Sequence, residues 1–296
     1  MPLPSRRVTL SLPLFAPLAA CSPLGIVNGL VPKDAGSERA ATDLPYGELP
    51  RQRFDVYVPD GLAADAAAPT LMFIYGGGWN RGDKGNYGFV GRALAAAGFV
   101  TAIPNYRVVP EARYPDFVID CGLALAAFKQ VAPDYGGRPG PTFVAGHSAG
   151  AYNAVMLGLA PELLEPAGLT FDDIAGIAAI SGPYDFLPLR VEDTRAAFGG
   201  YEDLPATQPV NRAHGAAPPM LLVNGSDDEI VSPKNVHRLQ AELEAVGGTA
   251  ATQIYEGMGH VAPLLAISRP FRKQGGVLDD VIAFFKTIND GTPIAA

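Results

Sequence analysis

Val144-Ala145-Gly146-His147-Ser148-Ala149-Gly150 places a serine between an apolar run and a helix-forming stretch, and that placement decides how the rest of the chain is read. Residues 142–145 have the length and composition of a buried parallel strand, and residues 149–159 read as a helix. A hydroxyl on the turn between them is held clear of the sheet, which makes Ser148 a candidate nucleophile. Gly146 and Gly150 complete a G-x-S-x-G spacing, and a Cβ at either would press on the neighbouring strand or helix. The helix also turns its unpaired NH groups and positive dipole end toward the serine, so the Ala149 amide is a candidate donor to a developing oxyanion.

Upstream, Tyr75-Gly76-Gly77-Gly78-Trp79 follows the apolar run 69–75 directly. Consecutive glycines leave backbone NH groups uncovered, and Gly77 and Gly78 are the candidates for the remaining oxyanion donors. The G-x-G-x-x-G and G-x-x-x-x-G-K-[ST] spacings are both absent here, which argues against a nucleotide phosphate as ligand. Trp79 either walls the substrate pocket or packs beneath the loop. Downstream, the strand-like run 220–223 leads through Asn224-Gly225-Ser226 to Asp227, Asp228 and Glu229, carboxylates placed where one can orient an imidazole. The run 251–255 leads to Gly257-Met258-Gly259-His260. Nucleophile, acid and base thus each follow a strand end in the order Ser, Asp, His, and only a common sheet edge unites residues so far apart in sequence. Among the other histidines, His147 neighbours the nucleophile but is expected to point away from the pocket. His237 falls on a helix surface, and His214 lies in a proline-rich stretch where a substrate contact stays open. None has metal-ligand spacing, so neither a metal nor an organic cofactor is expected.

The remaining elements alternate. Strands at 54–58, 69–75, 99–104, 142–145, 174–180, 220–223 and 251–255 interleave with helices at 87–97, 116–131, 149–159, 233–246 and 277–287. This predicts an α/β domain over residues 51–296, a mostly parallel central sheet with helices on both faces. Residues 182–217, with Pro183, Pro188, Pro205 and Pro209, break the rhythm and are expected to pass over the carboxyl edge of the sheet and shape the pocket. Phe117, Cys121, Leu125 and Phe128 share one helical face, which makes Cys121 a core residue.

The amino-terminal residues read differently. Arg6 and Arg7, an apolar run over 8–20 and the sequence Leu18-Ala19-Ala20-Cys21 have the segment order of an export signal covering residues 1–20. The run is too short and too broken by Pro13 and Pro17 to span a bilayer. Small residues before Cys21 resemble a bacterial lipobox, so lipidation at Cys21 and a membrane anchor in the cell envelope are expected; ordinary signal cleavage beside an incidental cysteine is the alternative. Ser5-Arg6-Arg7 partly matches a twin-arginine signal, which leaves the export route open. Residues 21–50, rich in Pro, Gly and Ala without a sustained period, read as anchor and flexible tether. Loss of residues 1–20 removes two arginines and no acid, taking the net charge from −8 to −10. Such a balance argues against nucleic acid or an anionic lipid surface as partner.

Taken together, these motifs resemble the α/β-hydrolases of the esterase/lipase type, close to the bacterial BD-FAE-like carboxylesterases and related to the hormone-sensitive-lipase and kynurenine-formamidase branches. The likeness runs from about Arg51 to the carboxyl terminus. It is carried by Gly76-Gly77-Gly78-Trp79, Asn105-Tyr106-Arg107, Pro110-Glu111 with Pro115 and Asp120, the Ser148 pentapeptide, Ser181-Gly182-Pro183-Tyr184-Asp185, Gly225 with Asp228, and Gly259-His260. The resemblance implies a triad of Ser148, Asp228 and His260, with Asp228 chosen over Asp227 because the family's acid stands three residues past the turn glycine. It implies hydrolysis of a small-molecule ester with a small to medium acyl group, and a bracing role for Tyr106-Arg107. An arylformamidase-like amidase using the same triad is the second reading, and an inactive hydrolase fold serving as a binding module the third. One departure stands out: the family's oxyanion loop commonly begins with histidine, and here Tyr75 takes that place, so altered side-chain bracing is expected around intact backbone donors.

Overall fold

A computed structural model describes residues 23–292. Eight strands form one sheet in the order β1-β2-β4-β3-β5-β6-β7-β8: β1 (Ser37–Pro45), β2 (Arg53–Pro59), β3 (Thr70–Ile74), β4 (Val100–Pro104), β5 (Thr142–His147), β6 (Ile174–Ile180), β7 (Met220–Gly225) and β8 (Ala250–Tyr255). The two edge pairings, β1 with β2 and β2 with β4, are antiparallel; every other pairing is parallel. The mostly parallel sheet expected from the alternation of elements is therefore present. β3, β5 and β7 are buried along their whole length, which is why they read as unbroken apolar runs.

The helices are α1 (Pro23–Leu30), α2 (Gly88–Ala96), α3 (Asp116–Val131), α4 (Ala149–Leu159), α5 (Pro161–Leu164), α6 (Glu192–Phe198), α7 (Lys234–Ala245), α8 (Ala262–Leu265) and α9 (Val277–Asn289). They cover both faces. On β6, a Cβ at Gly176 would meet Ile288 of α9, while Ile177 beside it reaches Gly158 of α4 on the other face. Phe99 and Phe143 both pack on Phe285 of α9, with ring centroids 6.0 and 4.6 Å apart. Cys121 is fully buried in α3, as its helical face predicts.

Within the expected tether over residues 21–50, the described residues 23–50 are not free chain. The export segment and Cys21 lie outside the described residues, but α1 is folded and Ser37–Pro45 pairs along β2. The register shifts between Arg39 and Ala41 and again between Ala41 and Leu44, so no period of two survives in the sequence. Most of the strand's side chains are exposed, and its stability comes from backbone pairing rather than apolar burial, which left no hydrophobic signal to read. Farther on, Asp34 accepts two hydrogen bonds from the Arg272 guanidinium, at 2.9 and 3.0 Å, tying this amino-terminal segment to the region after α8. The folded unit thus includes α1 and β1, both before residue 51.

Parallel pairing sets the carboxyl ends of the central strands along one edge, with Ile74 opposite Gly146, His147 opposite Ile180 and Gly225 opposite Tyr255. Since β4 lies on one side of β3 and β5 on the other, the order in which the chain adds strands reverses there, and that switch point beyond the ends of β3 and β5 is where open α/β sheets place their ligand crevice.

Candidate active site

Ser148 follows β5 with φ 55° and ψ −122°, a conformation that a non-glycine residue adopts only when its surroundings enforce it. Its amide donates to the Ile180 carbonyl at 2.8 Å, fixing the turn to the neighbouring strand. The glycines around it are sterically required: a Cβ on Gly146 would stand 2.3 Å from the Gly150 carbonyl oxygen, and one on Gly150 2.1 Å from that of Ile74. The serine side chain is consequently presented at the crevice rather than buried in the sheet.

His260 reaches it from the loop after β8. Its Nε2 lies 2.8 Å from Ser148 Oγ, and its Nδ1 lies 2.8 Å from Asp228 Oδ2. Asp228 is 4% exposed, and its other oxygen accepts from the amides of Ile230 at 3.0 Å and Val231 at 2.8 Å. Those bonds hold the carboxylate in an orientation the imidazole does not have to impose. Asn224 closes the same loop by donating to the Val231 carbonyl at 3.0 Å. Asp227, by contrast, is exposed, and its carboxylate accepts only from Ser226 Oγ among the described residues. With Asp228 accepting from Nδ1–H, His260 Nε2 is left bare to accept the serine proton.

Gly77 and Gly78 sit at φ 142° and 60°, values that favour glycine, and at Gly77 a Cβ would also strike the Arg81 backbone. Among the described residues the amides of Gly77, Gly78 and Ala149 donate to no protein group, so they stay available to a ligand oxygen. Gly76 lies so close to the elbow that a Cβ would stand 2.9 Å from that of Ser148. Tyr75, in the place where histidine is common, braces the loop in its own way. Its ring is stacked between Tyr106 and Tyr87, with centroids 4.8 and 5.3 Å away. Its hydroxyl donates to Asn105 at 2.9 Å and accepts from Arg51 at 2.8 Å. Arg51 reaches further, to the carbonyls of Tyr106 and Gly82. A single arginine therefore joins both ends of the oxyanion loop. Sequence reading used Arg51 only as a domain boundary, since a lone arginine before a strand carries no signal of its partners. Arg107 forms a two-pronged pair with the fully buried Asp120, which agrees with its expected bracing role.

Trp79 does not wall the pocket. It is 3% exposed, its indole NH donates to Asn153 at 3.1 Å, and its ring packs on Phe117, Tyr152, Phe186 and Phe198. The proline-rich excursion supplies Phe186 and Phe198 to this cluster, and Asp193 to Asn80 at 2.6 Å, and so backs the loop from one side. On the other side of the loop, a cavity of about 510 Å³ is lined by Gly76, Gly77 and Tyr87, by Val261 and Leu265, and by Val27 of α1. Sequence reading missed this wall because residues 23–30 were assigned to a tether.

His147 is buried, with Nε2 3.0 Å from the His260 backbone carbonyl. Burial, together with the nearby His260, pushes its pKa down to about 3. It is therefore neutral and donates from Nε2 to that carbonyl, which anchors the His260 loop to the elbow. His214 stacks on Phe171 and precedes β7, at the opposite edge of the sheet, and it takes no part in this site. Among the described residues, no three His, Cys, Asp or Glu side chains are grouped to hold a metal ion.

The site's geometry can be set beside known proteins. The BD-FAE family model matches residues 54–243. This chain belongs to the BD-FAE family. Among curated relatives, it is 26% identical to isoprenylcysteine alpha-carbonyl methylesterase ICME of Arabidopsis thaliana, over 86% of this chain and 64% of that one. It is 29% identical to esterase LipC of Mycobacterium tuberculosis, over 74% of this chain and 59% of LipC. The BD-FAE chain thus spans about three-fifths of the length of these relatives. Among solved structures, phosphonate-inhibited esterase B of Lactobacillus rhamnosis superposes with a TM-score of 0.78 at 19% identity, over 90% of this chain and 91% of that one. The Est2 esterase of Thermogutta terrifontis gives 0.69 at 18% identity, over 86% and 95%. At such identities the two structures establish the shared α/β-hydrolase fold.

Proposed function

We propose that this BD-FAE-family chain is a serine carboxylic-ester hydrolase acting on small to medium acyl esters through Ser148, His260 and Asp228. The observation that carries the reading is the unbroken run of hydrogen bonds, each 2.8 Å, from Ser148 Oγ through the imidazole to Asp228. At its Ser148 end are the amides of Gly77, Gly78 and Ala149, which have no protein acceptor among the described residues. Ser148 Oγ attacks the ester carbonyl carbon while its proton passes to His260 Nε2, and Asp228 stabilises the imidazolium that forms. The carbonyl oxygen, now anionic, accepts from the amides of Gly77, Gly78 and Ala149, a stabilisation of about 3–4 kcal/mol per donor in comparable sites. As the tetrahedral intermediate collapses, the C–O bond to the alcohol breaks and His260 returns its proton to the leaving oxygen. Water, deprotonated by the same imidazole, then attacks the acyl-Ser148 ester and releases the acid.

A panel of p-nitrophenyl esters from acetyl to octanoyl, with N-formylkynurenine in parallel, tests the reading on the full chain and on Ser148→Ala. Ester turnover lost in the variant is expected. Turnover of N-formylkynurenine alone would make the protein an amidase, and equal rates in both proteins would remove Ser148 from the mechanism. The amino-terminal signal supports a further part of the proposal: export and anchoring through lipidated Cys21 at the face of a bacterial membrane, with two or more lipid chains, since one alone binds only marginally. Cys21→Ser should move activity out of the membrane fraction; a wild-type protein already free of membranes would end that part.

A further inference from the structure

The cavity beside the oxyanion loop has a wall that the family resemblance does not cover. Its lining combines Gly76 and Gly77, Tyr87, Val261 and Leu265 of the segment after His260, and Val27 of α1. Of its polar neighbours, Asn86 keeps a free side-chain amide among the described residues, and the two charged ones are engaged elsewhere. Asp83 accepts from the Gly85 amide at 2.8 Å and from Asn105 at 3.0 Å, while Arg81 extends outward with 71% of its side chain exposed, toward Asp193. What remains for a ligand is mainly hydrocarbon surface, in a volume within the usual range for small-molecule sites.

α1 is fastened in place rather than resting there by chance. Asn28 Nδ2 donates to the Gly85 carbonyl at 2.8 Å, and Asn28 Oδ1 accepts from the Phe89 amide at 3.0 Å. An isolated helix of eight residues is unstable in water, so its position depends on this docking. The cavity's relation to the chemistry follows from the direction of proton transfer. His260 delivers its proton to the departing alcohol from Nε2, so the alcohol leaves on the imidazole's side, where Val261 and Leu265 follow His260 in the chain. The opposite side of the loop is filled by Trp79 and its aromatic neighbours.

We propose that α1 completes an apolar subsite for the alcohol portion of the ester, one that takes a hydrocarbon chain of medium length, and that Val27 limits that length. The proposal rests on the esterase reading, and its test separates the two. Wild type, Val27→Trp and Asn28→Ala, each checked for unchanged melting, are assayed on alkyl acetates from ethyl to octyl and on p-nitrophenyl esters from acetyl to octanoyl. Binding of 1-octanol is measured by calorimetry, which needs no turnover. Val27→Trp should lower kcat/KM for octyl acetate by about tenfold or more and leave ethyl acetate unchanged, and across the p-nitrophenyl series, which shares one alcohol portion, its effect should be the same at every acyl length. Asn28→Ala should raise KM for octyl acetate at constant kcat, and 1-octanol should bind more weakly to both variants than to wild type. Equal losses on ethyl and octyl acetate, a loss confined to the acyl series, or 1-octanol binding that Val27→Trp does not weaken would overturn the assignment. If wild type hydrolyses no ester, the esterase reading falls, and the 1-octanol comparison alone decides the subsite.

Discussion

Asp228 is buried with both carboxylate oxygens engaged, one by two backbone amides and one by His260, whereas its neighbour Asp227 faces solvent. Removing the charge at Asp228 leaves Ser148 and His260 in place but misaligns the imidazole and favours the wrong tautomer. Asp228→Asn should therefore lower kcat by about 10⁴, and Asp227→Asn by less than about tenfold. The reverse ranking in steady-state kinetics would move the acid by one residue. A second prediction belongs to His147. Its pKa of about 3 in the folded chain lies below the unfolded value of about 6.5, so only the unfolded chain takes up a proton as pH falls from 6.5 toward 3. Stability is thus lost across that window, by about 2 kcal/mol at pH 5. Urea unfolding at pH 7 and pH 5 should show this loss in wild type and a loss smaller by that amount in His147→Asn; equal losses would mean His147 does not carry it. At this scale the motifs identified Ser148 and His260 as candidates from their neighbours in sequence. The choice of Asp228 needed the family's spacing, because the bonds that turn it inward are made by a loop closing through Asn224 and Val231. The choice between the two readings of Trp79 stayed open in the sequence for a similar reason: its partners stand in three other parts of the chain.

Strands that are buried on both faces announce themselves as apolar runs, and β3, β5, β6 and β7 were legible as such. β1 and α1 were not, since one is held by backbone pairing with irregular register and the other by docking on Gly85 and the first turn of α2. The oxyanion loop shows the same contrast. Its glycines reveal what the backbone must do, but its support comes from Arg51, whose guanidinium spans Tyr75, Gly82 and Tyr106. A lysine cannot span those three acceptors, because it offers a point charge instead of a planar fork. Arg51→Lys should accordingly lower kcat/KM on p-nitrophenyl acetate by roughly ten- to a hundredfold through a misplaced loop. The melting temperature should fall by only about 3–8 °C, the consequence of about 2 kcal/mol in a chain this large. Full activity in Arg51→Lys would show that the stacked tyrosines hold the loop unaided.

Across the whole molecule, parallel register brings distant sequence positions to one sheet edge, where the loops after β3, β5, β7 and β8 meet at the point where the strand order reverses. That convergence was readable in advance, because each candidate residue follows a strand and parallel strands end together. The location of the cavity was not, since it depends on an amino-terminal helix folding back across the loop. The central claim is that Ser148 is the nucleophile of this assembly, activated by His260 and Asp228. Its most direct measurement is labelling of the full chain with a p-nitrophenyl alkylphosphonate, with the modified residue mapped by mass spectrometry and the remaining esterase activity followed in parallel. One phosphonyl group on each chain, located at Ser148, with hydrolysis lost in proportion, is the predicted result; a label on another residue, or hydrolysis that survives full modification of Ser148, would contradict it.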